Sequence, residues 1–191
     1  MKEKNGSRLA KLAVAVIVIG IFSMSVLAHC DTMDGPVVKA ANKALRTKNV
    51  NYVLIWVHEK EDAEVRSAFK KVLTVRGLGH DARELADRYF FETVVRLHRA
   101  GEGEPYTGLK ASGAEDVELF TEIDKAIDKN SISALAAKFS GDERAEIEKR
   151  FGEVIDKKKF AVNDVAAGRR FVESYVKFLH LVEKIEGHSE G

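Results

Sequence analysis

The chain repeats itself, and this constrains its fold more than any other feature. Sliding the sequence by 82 positions, the separation of His98 from His180, matches Lys43-Ala44 to Lys125-Ala126, Ala63-Glu64 to Ala145-Glu146 and Phe69 to Phe151 without a gap. The same shift pairs Glu61 with Glu143, Val72 with Val154, Arg88 with Arg170, Val94 with Val176 and Leu97-His98 with Leu179-His180. An ungapped register of this length predicts a duplicated structural unit. The body is expected to be two tandem copies, about residues 35–100 and 117–186, joined by a glycine-rich loop at 101–116.

Within each copy the apolar residues recur at helical spacing. Gly35-Pro36 opens the first helix, since proline at the first helical position gives up no useful hydrogen bond, and Val37, Val38, Ala41, Ala44 and Leu45 share one face. Asn49 is placed as the N-cap of a short second helix carrying Val53, Leu54 and Trp56. Val65, Ala68, Phe69 and Val72 mark a third, ending near Gly77. Asp81 with Glu84 has capping-box spacing and opens a fourth, aromatic helix through Leu85, Tyr89, Phe90, Phe91, Val94 and Leu97. Tyr52–Val57 is the one stretch where a strand is arguable, and its repeat partner, Ala134–Phe139, reads as helix. The expected fold is all-α, about eight helices in two units packed about a pseudo-twofold axis. The period is far too long for a tetratricopeptide array.

Ahead of this body stands a different kind of segment. Lys2, Lys4, Arg8 and Lys11 against Glu3 precede an uncharged, mostly apolar run from Leu12 to Leu27, closed by Val26 and Ala28 at the −3 and −1 positions of a signal-peptide cleavage site. The run is slightly short for a membrane span, which needs about 18 apolar residues. Residues 1–28 are therefore expected to be a signal peptide or, uncleaved, a membrane anchor. The protein would be exported: periplasmic, secreted or held in the cell envelope. Cleavage after Ala28 leaves one helical domain, 29–191, of 163 residues (191 − 28), enough for a real core.

Removing four basic residues and one acidic one takes the formal charge from +1 to about −2, a balance that argues against nucleic acid and anionic membranes as partners. A protein partner or a homo-oligomer stays open. No phosphate loop, dinucleotide fingerprint, serine elbow or haem-attachment motif is present, so neither a nucleotide nor haem is expected. Cys30 is the lone cysteine and cannot close an internal disulfide.

The expected cleavage puts unusual chemistry first in the mature chain. His29 would offer its α-amine and imidazole, and Cys30 its amide nitrogen and thiolate. Nitrogen donors with a soft thiolate suit nickel, copper or zinc. Asp31 and Asp34 can add oxygen donors, or Asp34-Gly35-Pro36 can make a turn with Asp34 capping the first helix. Met33 is a soft donor or an apolar staple.

His29-Cys30-Asp31 followed shortly by Gly35 resembles the mature terminus of nickel superoxide dismutase, a helical family in which the terminal amine, imidazole, second amide, second thiolate and a thiolate at the sixth position hold nickel. The resemblance covers about seven residues and maps two ligand residues, His29 and Cys30; the sixth position here is Asp34, so the second thiolate is missing. If the protein is an enzyme, the resemblance implies a metal-dependent oxidoreductase. A longer resemblance, through His29–Pro36, Tyr89–Thr93 and Pro105–Lys110, is to a family of exported bacterial proteins of unknown function, which implies no activity.

Other candidates lie further along. His98 and His180 hold equivalent places in the two copies and under twofold packing could face each other as further ligands; alternatively each lies near a helix C-terminus, where a protonated imidazole complements the dipole. In the loop, Glu102, Glu104, Tyr106 and Lys110 are the polar groups placed to bind something, unless the loop is a solvated connector. Two functions remain open: a transition metal held at a processed terminus for redox chemistry or metal handling, or a metal-free helical interaction module of the envelope.

Overall fold

The computed structural model describes residues 29–113 and 117–189. The expected leader at 1–28 and loop residues 114–116 lie outside them. Among the described residues eight α-helices follow in order: α1 (Pro36–Thr47), α2 (Asn51–Leu54), α3 (Asp62–Val75), α4 (His80–Glu102), α5 (Val117–Lys129), α6 (Ser133–Ala136), α7 (Gly141–Lys157) and α8 (Val165–Ser189). The protein is all-α as expected, and Tyr52–Leu54, where a strand was arguable, lies in α2. None of these helices is long and apolar enough to cross a membrane.

Local chemistry explains most of the helix ends. Pro36 sits in the first turn of α1, and Lys48 closes that helix in the left-handed region at φ 57°, its amide donating to the Ala44 carbonyl. Two ends depart from the expected capping. Asn49 acts one residue before the helix cap, its Oδ1 accepting the Asn51 amide at 3.0 Å. Asp81 lies inside the first turn of α4, because Gly79, with φ 141°, reaches a backbone region barred to a capping aspartate and becomes the cap.

α1 and α3 pack against α4, α7 lies along α8, and α2 reaches across to α8. The shared core includes Leu45, Leu54, Phe90, Phe120, Ile147 and Phe178, all essentially inaccessible to solvent. Each such side chain contributes roughly 1.5–3 kcal/mol by leaving water. Leu85 and Tyr89, expected on the buried stripe of α4, are instead exposed: the stripe is wider than the face that α1 and α3 cover.

Polar contacts join the α2 region to the α7–α8 segment. The Asn49 and Asn51 amides both donate to Asn163 Oδ1, at 3.4 and 2.9 Å. Arg169 donates from Nε to the Val57 carbonyl at 3.0 Å and pairs with Asp62. Trp56 meets Tyr175 edge-on, with ring centroids 5.7 Å apart. His98 of α4 meets Trp56 edge-on at 5.9 Å and Tyr175 of α8 donates to Asp124 of α5, so α4, α5 and α8 share a common end, and there the first described residues are buried.

Candidate functional site

The stretch from His29 to Gly35 is a tight hook. The His29 carbonyl accepts from the Thr32 hydroxyl at 3.1 Å, and the Gly35 amide donates to the Thr32 carbonyl at 3.0 Å. Past the hook, the Lys39 amide donates to the Gly35 carbonyl and starts α1. The loop segment 103–113 straps the hook from outside: the Lys110 amide donates to the Asp31 carbonyl at 2.9 Å, and the Met33 amide to the Lys110 carbonyl at 3.0 Å. Together these form an isolated parallel bridge between Thr32 and Lys110.

The hook's side chains point inward. His29 stacks on Phe120 of α5, with centroids 4.9 Å apart and planes 14° from parallel, and its Nε2 lies 3.5 Å from Asp124 Oδ2. Asp124 also accepts the Tyr175 hydroxyl at 2.8 Å. Cys30 is 4% exposed and packed within the core. Burial, reinforced by the negative charges of Glu102 and Asp31, pushes its thiol well above the usual range. Asp31, 1% exposed, faces Arg99 at 3.6 Å. Burial lifts its carboxyl to about 6, against the opposing pull of Arg99 and Lys110.

The last turns of α4 close the other side. Arg99, 4% exposed, reaches Glu102 Oε2 at 3.2 Å and Glu104 at 4.0 Å. His98 Nδ1 is 2.7 Å from the Trp56 carbonyl. A carbonyl can only accept, so the proton sits on Nδ1. In the neutral ring, which burial favours by holding the imidazole below its usual range, Nε2 is then a bare lone pair. Glu102 Oε1 lies 3.4 Å from it.

Among the described residues, five buried side-chain polar atoms lack a hydrogen-bond partner in the protein: His29 Nε2, Asp31 Oδ1, His98 Nε2, Arg99 Nε and Tyr106 Oη. All five belong to the hook, the end of α4 or the strap. Buried polar groups are ordinarily paired, so their concentration in one place marks a site.

The structure therefore merges two sets of candidates that the sequence kept apart. His29, Cys30 and His98 share a buried end of the bundle with Glu102, Glu104 and Lys110. Glu102 belongs to the last turn of α4 rather than to the loop, which begins at the left-handed Gly103. Tyr106 is half-buried, and burial raises its hydroxyl above the usual range.

Two candidates stand apart. Asp34 neither caps α1, where Gly35 is the cap, nor turns into the core; partial burial raises its carboxyl, but hydrogen bonds from Thr32, its own amide and Gly113 more than offset this and hold it low. His180 is exposed on α8, which runs nine residues beyond it, so it does not face the buried His98 and is not in a terminal turn. Among the described residues no three side chains of His, Cys, Asp or Glu converge on one point as a preformed metal site.

Arg99, Asp124, Phe120 and Tyr175 are site residues that sequence reasoning missed. A signal for three of them exists in the sequence. At the 82-residue offset Arg99 stands opposite Leu181, Asp124 opposite Asn42 and Tyr175 opposite Thr93, so these site residues fall where the offset does not match.

A model of a family of unknown function (DUF6448) matches residues 34–181. The match begins at Asp34, so His29–Met33 lie ahead of it. No curated protein and no solved structure matches the chain.

Proposed function

The chain belongs to this family of unknown function, and we propose that it is an exported helical protein holding a transition metal, nickel, copper or zinc, at a processed terminus beginning with His29. The observation that carries the reading is the bare Nε2 of His98. Its tautomer is fixed by the Trp56 carbonyl in the way that a backbone acceptor orients a metal-binding imidazole, and its lone pair is buried without a partner.

The donor chemistry fits such an ion. After cleavage behind Ala28, His29 supplies an amine and, through Nδ1, an imidazole nitrogen that can close a ring with it, and Cys30 supplies an amide nitrogen and a sulfur. The amine and amide are backbone groups, so the absence of a three-side-chain cluster does not count against a terminal chelate. A bound cation would overcome the pressure that keeps the Cys30 thiol protonated, since coordination deprotonates a thiol outright. The missing second thiolate, with Asp34 engaged elsewhere, favours a holding site over the redox centre of nickel superoxide dismutase.

The repeat belongs to the same proposal: two copies of one helical unit, packed about a pseudo-twofold axis, with the hook seated where they diverge. Several structural details support it. α2 and α6 begin and end 82 residues apart, at Asn51–Leu54 and Ser133–Ala136, and α3 and α7 end 82 apart. The left-handed residues Lys48 (φ 57°) and Asn130 (φ 51°) are also 82 apart, as are the closing bonds from Asn49 to Ala44 and from Ser131 to Ala126.

A second reading, a metal-free envelope module in which the hook only docks, is favoured by the His29–Phe120 stack and the protonated, buried thiol. Calorimetric titration of zinc, copper and nickel into protein starting at His29 separates the two. The metal reading expects one ion per chain, lost in Cys30→Ser and lost when one residue is added before His29. Binding that survives both changes removes the terminus from the account, and absence of binding leaves the docking module.

A further inference from the structure

A cleft of about 480 Å³ opens between α1, the α2 region, α5 and the α7–α8 connection. Tyr52, Trp56, Phe160, Phe171 and Tyr175 line it. Phe160, Phe171 and Tyr175 form a continuous train, with successive centroids 5.8 and 6.3 Å apart, and Trp56 meets its end at 5.7 Å. Gly168 makes this wall possible: a Cβ there would lie 2.3 Å from Ile55 and 2.9 Å from Phe160. Both volume and lining are those of a small-molecule site, apolar with a few placed charges.

The charges decide the class of occupant. Lys158 is committed to closing α5, its ammonium donating to the Ile127 carbonyl at 2.5 Å and to Asn130 Oδ1 at 3.2 Å. Asp124 is committed to the Tyr175 hydroxyl and faces His29. That leaves Lys39 and Lys43, one helical turn apart on α1 and both exposed, against the exposed Asp128 on the opposite wall. Lys43 already hangs over the Tyr52 ring, 4.4 Å from its centroid, so cation and aromatic surface are presented together.

We propose that this cleft is a binding site for a small planar aromatic anion, its ring against the Trp56–Tyr175–Phe171 wall and its negative group on Lys39 and Lys43. The site does not depend on metal at the hook, though the two share Asp124 and Tyr175.

The test uses naphthalene-2-carboxylate as probe with its neutral amide, 2-naphthamide, as control, by calorimetry and by the indole N–H resonance of the single tryptophan, Trp56. The carboxylate is expected to saturate one site at or below ~1 mM, about tenfold tighter than the amide, and to shift the Trp56 resonance. Lys39→Met with Lys43→Met should abolish the preference, and Lys39→Arg with Lys43→Arg should retain it; both pairs are exposed, so the fold is not at stake. Lack of saturable binding, equal affinity for carboxylate and amide, an unmoved Trp56 resonance or an unchanged preference in the Met pair would each overturn the proposal.

Discussion

A Cβ placed on Gly35 would lie 2.1 Å from the carbonyl oxygen of His29, closer than any side chain can approach a backbone atom. Gly35 is therefore glycine for lack of room and not for backbone freedom, since its φ of −73° is open to any residue. Gly35→Ala should force the hook out of its seat while leaving α1 to α8 folded. The expected result is an unchanged far-UV circular dichroism spectrum with a large rise in the rate at which Cys30 is alkylated.

Cys30 itself should react slowly in the native protein. A thiol raised well above the usual range and 4% exposed carries little thiolate near neutrality and is shielded from reagents. Alkylation by iodoacetamide at pH 8 should be at least about a hundredfold slower than in denaturant, where the thiol returns to about 8.5. Any metal bound through this sulfur must displace its proton, so affinity should strengthen as pH rises.

Asp31 imposes a pH dependence of opposite sign to that of an ordinary ion-paired carboxylate. Its folded value of about 6 exceeds the ordinary 3.8, so between those values the native state binds more protons than the unfolded one. Stability contributed at this position falls as pH rises through that window. Asp31→Asn should flatten the decline of Tm between about pH 4 and 6 relative to the parent, as followed by calorimetry.

Arg99 is the sole cation placed within 4 Å of three carboxylates at the site, those of Asp31, Glu102 and Glu104, among the described residues. Replacing it by leucine, the residue that stands at the matching position 181, leaves buried Asp31 without its partner. The loss of one member of a buried pair typically costs about 3–5 kcal/mol. Arg99→Leu should lower the denaturation free energy by that order, and Arg99→Leu combined with Asp31→Asn should restore part of it.

Much of this architecture is readable in the sequence. Periodicity places α1, α3 and α4 to within a few residues, because their buried faces follow the helical period, and Pro36 marks the start of α1. Leu85 and Tyr89 mislead because periodicity records where a helix is apolar and not how much of that face a neighbour covers. The site was legible only in pieces. His29, Cys30, Glu102 and Lys110 could be singled out by chemistry, but they are up to 81 positions apart (110 − 29), and the fold joins them through the hook's backbone bridge to Lys110 and through Arg99, which links Asp31 to Glu102. Asp124 and Arg99 look like ordinary surface charges until the fold buries Arg99 and sets Asp124 against His29. The match of His98 with His180 at the 82-residue offset holds in the sequence and fails in burial, since His98 is 4% exposed and His180 is exposed on α8.

The proposed metal site requires sulfur and nitrogen to meet one ion at the terminus. X-ray absorption of the protein starting at His29, loaded with one equivalent of zinc, reads that shell directly. One sulfur scatterer at ~2.3 Å with nitrogens at ~2.0–2.1 Å is the predicted spectrum. A shell of nitrogen and oxygen alone, unchanged in Cys30→Ser, would contradict it.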